Sequence, residues 1–212
     1  MDIRAIFAIG FCLLLLGCAS QQPSSPSQIG ANESGNSGVI SMNTTNKTAA
    51  AEIAVLETNM GTIEIELNRE KSPVTVENFV QYVKSGQYDG TIFHRVIDGF
   101  MIQGGGFTPD GKEKGVRAPI KLESANGLKN AVGAIAMART NDPDSATSQF
   151  FINVADNSFL NYAPGNPGYA VFENVVFGMD VVNKIKGVQT ATKGYNENWP
   201  VQDVIIQKAY MK

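Results

Sequence analysis

Phe93-His94-Arg95-Val96-Ile97-Asp98-Gly99-Phe100-Met101-Ile102-Gln103-Gly104-Gly105 is the stretch on which the reading of this chain turns. It carries two short strand-like runs, Thr91 to Val96 and Phe100 to Gln103. Further runs of the same kind lie at Ile53 to Leu56, Thr62 to Leu67, Ala134 to Met137, Phe150 to Val154, Tyr169 to Phe172 and Val204 to Gln207. Thr62 to Leu67 alternates apolar and polar residues, as a half-buried strand does, and Asn59-Met60-Gly61 joins it to the preceding run as a hairpin turn. Helical signals are fewer. Ser72-Pro73 opens a helix with an N-cap residue and a proline in its first turn. Val76, Phe79, Val80 and Val83 form its apolar stripe, and Gly86 closes it. A shorter helix covers Val181 to Lys186 and ends at Gly187. Many short strands with two helices imply a closed antiparallel β-barrel capped at its ends.

Composition narrows the class. Of the 212 residues 43% are hydrophobic and 17% charged, enough for the core of one domain with residues to spare. Twenty-one glycines and nine prolines supply many turns and favour strands over long helices. A net charge of -3 offers no basic stripe, which argues against a nucleic-acid partner. Both cysteines, Cys12 and Cys18, lie near the N-terminus, so a disulfide framework is excluded for the rest of the chain. With His94 as the single histidine, no histidine-rich metal centre is expected.

Three zones follow one another. Residues 1–17 place Arg4 before an apolar stretch, Ala5 to Leu16, too short to span a bilayer and patterned as a signal peptide. Leu15-Leu16-Gly17-Cys18 resembles a bacterial lipobox, which implies lipidation of Cys18 after cleavage. Ala19 at the next position favours, by the same resemblance, sorting to the outer membrane. Residues 18–51 are rich in Ser, Asn, Gln, Gly, Thr and Pro and bury too little surface to offset their ordering entropy, so a flexible tether is expected. Residues 52–212 form the globular domain.

The Phe93–Gly105 stretch resembles the signature of the cyclophilins, and Ser148-Gln149-Phe150-Phe151-Ile152 resembles their second signature. Asn130 to Arg139 and Ala170-Val171-Phe172 agree with the same family. The resemblance runs from about Glu52 to the C-terminus. It implies an eight-stranded barrel, mainly β, with a helix over each mouth and an active groove on the outside. It also implies roles: Arg95 as the catalytic arginine with Gln103 beside it, and Phe100, Met101, Phe151 and Leu160 as the proline pocket. Gln149 is a polar residue of the groove, and the backbone of Ala138 and Arg139 pairs with extended substrate. Phe159 stands where many members carry a groove tryptophan, and Tyr169 lies where they carry a histidine. Ala138-Arg139-Thr140 replaces the Ala-Asn-Ala wall. These departures put peptide preference in doubt while leaving the proline pocket intact.

The chemistry of such a site is undemanding in residue types. Rotating an X-Pro bond faces a barrier of about 18–20 kcal/mol because amide resonance must be lost. No bond breaks and no proton leaves, so neither nucleophile, general base, metal nor other cofactor is required. A donor aimed at the prolyl nitrogen and a dry pocket for the ring suffice. Uncatalysed exchange takes tens to hundreds of seconds, and reaching milliseconds requires roughly 5–7 kcal/mol. His94 is read as structural. Gly106 to Lys112 nearly matches a phosphate-binding G-x-x-x-x-G-K loop, but Glu113 replaces the metal-holding hydroxyl and no amphipathic helix follows. Asp142, Asp144 and Asp156 are read as turn residues. The expectation is therefore a peptidyl-prolyl cis/trans isomerase acting on proline-containing exported polypeptides. It is monomeric and lipid-anchored in the bacterial cell envelope, at the outer membrane facing the periplasm. The rival reading is a non-catalytic module that grips proline-containing segments.

Overall fold

The computed structural model describes residues 51–212. The signal peptide expected over 1–17, the lipidation expected at Cys18 and all but the last residue of the tether expected over 18–51 lie outside the described residues. In chain order the elements are β1 (Glu52–Thr58), β2 (Gly61–Leu67), α1 (Pro73–Lys84), β3 (Thr91–Ile97), β4 (Met101–Gly104), β5 (Ala134–Met137), β6 (Phe150–Asn153), β7 (Val171–Phe177), α2 (Met179–Lys186), β8 (Thr190–Lys193), β9 (Asn196–Pro200) and β10 (Ile205–Met211). Eight strands close into a barrel in the order β1-β10-β3-β4-β6-β5-β7-β2, while β8 and β9 pair separately. Each of the eight strand-like runs of the sequence falls on a barrel strand. The fold is the closed, mainly β barrel with two helices that was expected.

Local chemistry explains the elements. The β1–β2 register ends at Thr58↔Gly61, leaving Asn59-Met60 at the tip. Gly61 has a φ of +133°, and a Cβ there would meet Val181 Cγ2 at 2.6 Å. Glycine thus permits both the turn and the docking of α2 against it. In α1 the expected stripe of Val76, Phe79, Val80 and Val83 is buried. Ser72 does not cap the helix: its Oγ donates to the Val171 carbonyl at 2.9 Å. The free N–H groups of Val74 and Thr75 donate instead to the Glu123 carboxylate, at 3.1 and 2.8 Å. An anion there also suits the positive end of the helix dipole.

β2 and β7 are antiparallel neighbours, and each leads directly into a helix, so α1 and α2 close opposite mouths. Both helices enter one core. Phe79 of α1 packs on Tyr88, Phe150 and Phe172 with ring centroids 5.2, 5.6 and 5.0 Å apart. From α2 come Val181, Val182 and Ile185.

Some boundaries differ from the sequence reading. β7 continues to Phe177 and β10 to Met211, beyond their apolar runs, because a barrel wall tolerates outward polar residues such as Asn174 and Lys208. The β8–β9 pair is absent from the sequence reading. All four residues of β8 are exposed, so no hydrophobic period announces it.

The barrel wall around β4, β5 and β6 is covered on both faces. Ile102, Ile135, Met137, Phe150 and Ile152 point into the main core. Met101, Ala134, Ala136 and Phe151 point outward and, with Val171, form a second apolar cluster outside the barrel. Strand β3 contributes through a bulge. Its register with β4 passes from Phe93↔Gly104 to Arg95↔Gln103, so His94 is one residue extra. Phe93 and Val96 both face the core, and His94 and Arg95 both leave it. Without the bulge, strict alternation would turn Arg95 inward with Phe93.

Candidate active site

The registers lay a row of side chains across four strands. Arg95 lies opposite Gln103, Gln103 opposite Phe151, and Phe151 opposite Ala136. Around this row is a pocket of about 130 Å³ lined by Arg95, Phe100, Met101, Gln103, Ala138, Arg139, Phe151, Leu160 and Tyr169. All nine belong to the set singled out from the sequence. The cavity is far below the roughly 300–1,000 Å³ of drug-sized sites, a size for one small apolar group. Met101 and Phe151 are buried in it, and Tyr169 meets Phe151 edge-on at 5.6 Å.

Arg95 and Arg139 differ in their engagement. Arg139 donates through Nε and Nη2 to the Gly168 carbonyl at 3.0 and 2.8 Å and through Nη1 to that of Thr140 at 2.8 Å. Its guanidinium also lies 4.5 Å over the Tyr169 ring. Arg95 is half-buried and, among the described residues, has neither a carboxylate partner nor a side-chain hydrogen bond. Its guanidinium carbon stands 5.9 Å from the Phe100 ring centroid. Arg95 is the free donor of this pocket.

The remaining residues frame that donor. Gln103 Nε2 donates to Gln149 Oε1 at 2.9 Å, which fixes the Gln103 amide. Gln149 lies just outside the pocket, against Gly106, where a Cβ would approach its side chain to 2.6 Å. Phe159 is 63% exposed and does not line the pocket itself. It stacks on Phe100 at 5.7 Å, extending the apolar wall outward. The Ala138 N–H is engaged by the Gln149 carbonyl at 2.9 Å. The Ala138 carbonyl and the Arg139 N–H are therefore the backbone groups left for an extended ligand.

His94 faces away from this pocket. Its ring packs on Phe107 and Trp199 at 4.6 and 6.0 Å. Burial, and secondarily the Arg95 charge, push its pKa down to about 4. It is neutral at pH 7 and is not placed to exchange protons in the site.

Other candidates from the sequence resolve simply. Gly106 to Lys112 forms a turn closed by a Phe107↔Glu113 bridge, with Lys112 paired to Asp110 at 2.8 Å. Asp142, Asp144 and Asp156 accept backbone N–H groups from Asp144, Leu122 and Val132. Among the described residues, no group of three or more His, Cys, Asp or Glu is arranged to hold a metal ion, and no helix is long and apolar enough to cross a membrane. A larger open groove of about 540 Å³ runs along α1. One of its arginines, Arg69, is paired with Glu52 and Glu77, and the other, Arg117, lies over Tyr82.

Beside the pocket the structure brings in residues absent from the sequence reading. Phe107, Tyr195, Asn196, Glu197 and Asn198 join His94, Arg95, Gln103 and Gln149 around a second groove of about 510 Å³. The only sequence signal for this flank was Gly194 between two polar runs.

An outward pocket with an apolar wall and one unengaged arginine, on an eight-stranded barrel capped by two helices, defines a cyclophilin-like protein. The comparisons agree. A profile of the cyclophilin type peptidyl-prolyl cis-trans isomerase/CLD family matches residues 53–211. The peptidyl-prolyl cis-trans isomerase of Acinetobacter baylyi is 58% identical over 157 residues, covering 74% of this chain and 84% of its own. Peptidyl-prolyl cis-trans isomerase B of Escherichia coli is 54% identical over 158 residues, covering 73% and 96%. Among solved structures, a cyclophilin type peptidyl-prolyl cis-trans isomerase of Cryptosporidium parvum superposes with a TM-score of 0.63 at 26% identity, covering 76% of this chain and 98% of that one. The chain belongs to the cyclophilin-type peptidyl-prolyl cis-trans isomerases.

Proposed function

We propose that this isomerase acts on X-Pro bonds of exported polypeptides, with Arg95 as the donor to the prolyl nitrogen, as a monomer held to the bacterial outer membrane by lipid on Cys18. One observation carries the catalytic part: the unengaged Arg95 guanidinium beside the small apolar pocket of Phe100, Met101, Phe151 and Leu160. As the amide twists out of plane its nitrogen regains a lone pair, and a charged donor then gains a hydrogen bond absent from the planar ground state. Such differential binding lowers the barrier. The pocket excludes water around the ring, and the Ala138 carbonyl and Arg139 N–H hold the flanking chain extended. Gln103 lies opposite Arg95 across the β3–β4 pair, with its amide held by Gln149.

The envelope part rests on sequence. Leu15-Leu16-Gly17-Cys18 closes a signal-like stretch, and a polar segment separates Cys18 from β1. Polypeptides crossing into the periplasm expose X-Pro bonds that have yet to settle, which is the substrate class such a position would meet.

The test of the mechanism is Arg95→Ala in a protease-coupled assay on a short X-Pro peptide. A tenfold to hundredfold fall in kcat/KM is expected, equivalent to roughly 1.4–2.7 kcal/mol of transition-state stabilisation. Near-normal turnover in a folded variant would overturn the role of Arg95. Persistent peptide binding with no turnover in the wild type would favour the non-catalytic module instead.

A further inference from the structure

The groove beside the proline pocket is built, not incidental. We infer that the β8–β9 hairpin forms a specificity subsite for a lysine or arginine of the substrate within two residues of the proline. This rests on the isomerase reading above, since Arg95 and Gln103 wall both cavities. An extended peptide advances about 3.3 Å per residue, so a chain whose proline fills the small pocket carries its neighbours into the larger groove within one or two residues.

The hairpin is held rigidly over the barrel. Trp199 is buried beneath it against His94 and Phe107. Lys193 lies 4.5 Å over the Trp199 ring and donates its Nζ to the Pro109 carbonyl at 2.9 Å. Gly194 and Asn198 take left-handed φ values of 63° and 60°, which let the short turn bulge. The tip residue, Tyr195, is left fully exposed at the groove. An aromatic in that position has no packing role in the fold.

The chemistry of the lining selects the occupant. Tyr195 and Phe107 offer aromatic surface to an alkyl stem and to a cation above it. Glu197 lines the groove and, among the described residues, has no ion-pair partner. Glu113 adds a second carboxylate behind Gln149, 3.4 Å from its Nε2. Lys193 is held on Trp199 and the Pro109 carbonyl, and Arg95 keeps its charge at the end shared with the proline pocket. The attraction for a substrate cation is therefore local to the hairpin side of the groove, where Glu197 stands. His94 lines its floor, its Nδ1 buried and without a protein partner, and is neutral at pH 7.

The experiment is a set of proline peptides carrying Lys, Ala or Glu at each of the two positions before the proline and the two after it, assayed on the full-length protein. At one position kcat/KM should favour Lys over Glu by about twofold to fivefold, the range open to an exposed ion pair. The preference should fall toward unity in Glu197→Gln, invert in Glu197→Lys, and fade at about 0.5 M salt. Tyr195→Ala should raise KM for the Lys peptide more than for the Ala peptide. Turnover of the all-alanine peptide should be unchanged in these variants. A wild-type ratio near one at all four positions, or a ratio unmoved by Glu197→Gln, overturns the subsite. No turnover of the all-alanine peptide by the wild type would overturn the isomerase reading itself, and this inference with it.

Discussion

Two guanidinium groups line the pocket, and their surroundings separate them. Arg139 gives three hydrogen bonds to carbonyls of its own loops and lies on Tyr169, so it shapes the wall. Arg95 gives none among the described residues, and its whole donor fork is available to a ligand. Next to it, His94 bears a cost that can be measured. Its folded pKa is about 4 against 6.5 for the free side chain, lowered first by burial and then by Arg95. Between these values the unfolded chain binds a proton that the folded chain refuses. Stability is therefore full above about pH 6.5 and is lost as pH falls toward 4, by about 3 kcal/mol in all. Glu77 and Asp110, whose carboxyls are held below their usual values, add acid sensitivity only below about pH 4.5. Urea unfolding at pH 7.5 and pH 4.8 should thus differ by about 2 kcal/mol, mostly from His94. In His94→Phe most of that difference should vanish, and an unchanged pH slope would show that another group carries it.

Elements are where the sequence was read well and where it failed, for distinguishable reasons. Strands with one face in a core announce themselves, and Thr62 to Leu67 and Ala134 to Met137 needed nothing more. Helix α1 was legible by its stripe and its proline, but not by its cap. The carboxylate that caps it comes from Glu123, 49 residues from Val74 in sequence, and no local pattern reports such a contact. Glu123→Ala should lower the unfolding free energy by about 1–2 kcal/mol, the usual size of a lost cap. The denaturant slope and the peptide turnover should stay as they are. Glu123→Gln keeps an acceptor and should lose less; equal losses would mean that packing rather than the cap is at stake. The site was legible because the strand register that gathers its residues follows two long motifs. The bulge that turns Arg95 outward was not: one extra residue looks the same in sequence whether it bulges or shifts the register. Nor was β8–β9, whose exposed residues pair through backbone groups and rest on a single buried tryptophan.

At the scale of the whole molecule, the two ends of the domain are neighbours. β1 and β10 pair through Ala54↔Met211, and the Lys212 N–H donates to the Ile53 carbonyl at 2.9 Å. The barrel therefore closes within residues 52–212, and every residue that lines the pocket belongs to that span. An anchor at Cys18, as proposed, would be separable from catalysis. If Cys18 carries the lipid, Cys18→Ala should move the protein from the membrane to the soluble fraction or leave it with its signal uncleaved. A single acyl chain binds membranes only marginally, whereas several chains on one residue hold stably. The wild type should accordingly resist a salt wash and come off only in detergent. The same variant, once purified, should turn over a short X-Pro peptide at the wild-type rate, because the pocket residues all lie within the closed barrel and Cys18 is not one of them. Membrane-isolated wild type whose intact mass corresponds to an unmodified Cys18 would refute the anchor. Wild-type membrane retention in Cys18→Ala would mean that another part of the chain holds the bilayer. Loss of turnover in the soluble variant would mean that the lipid anchor itself supports the active fold.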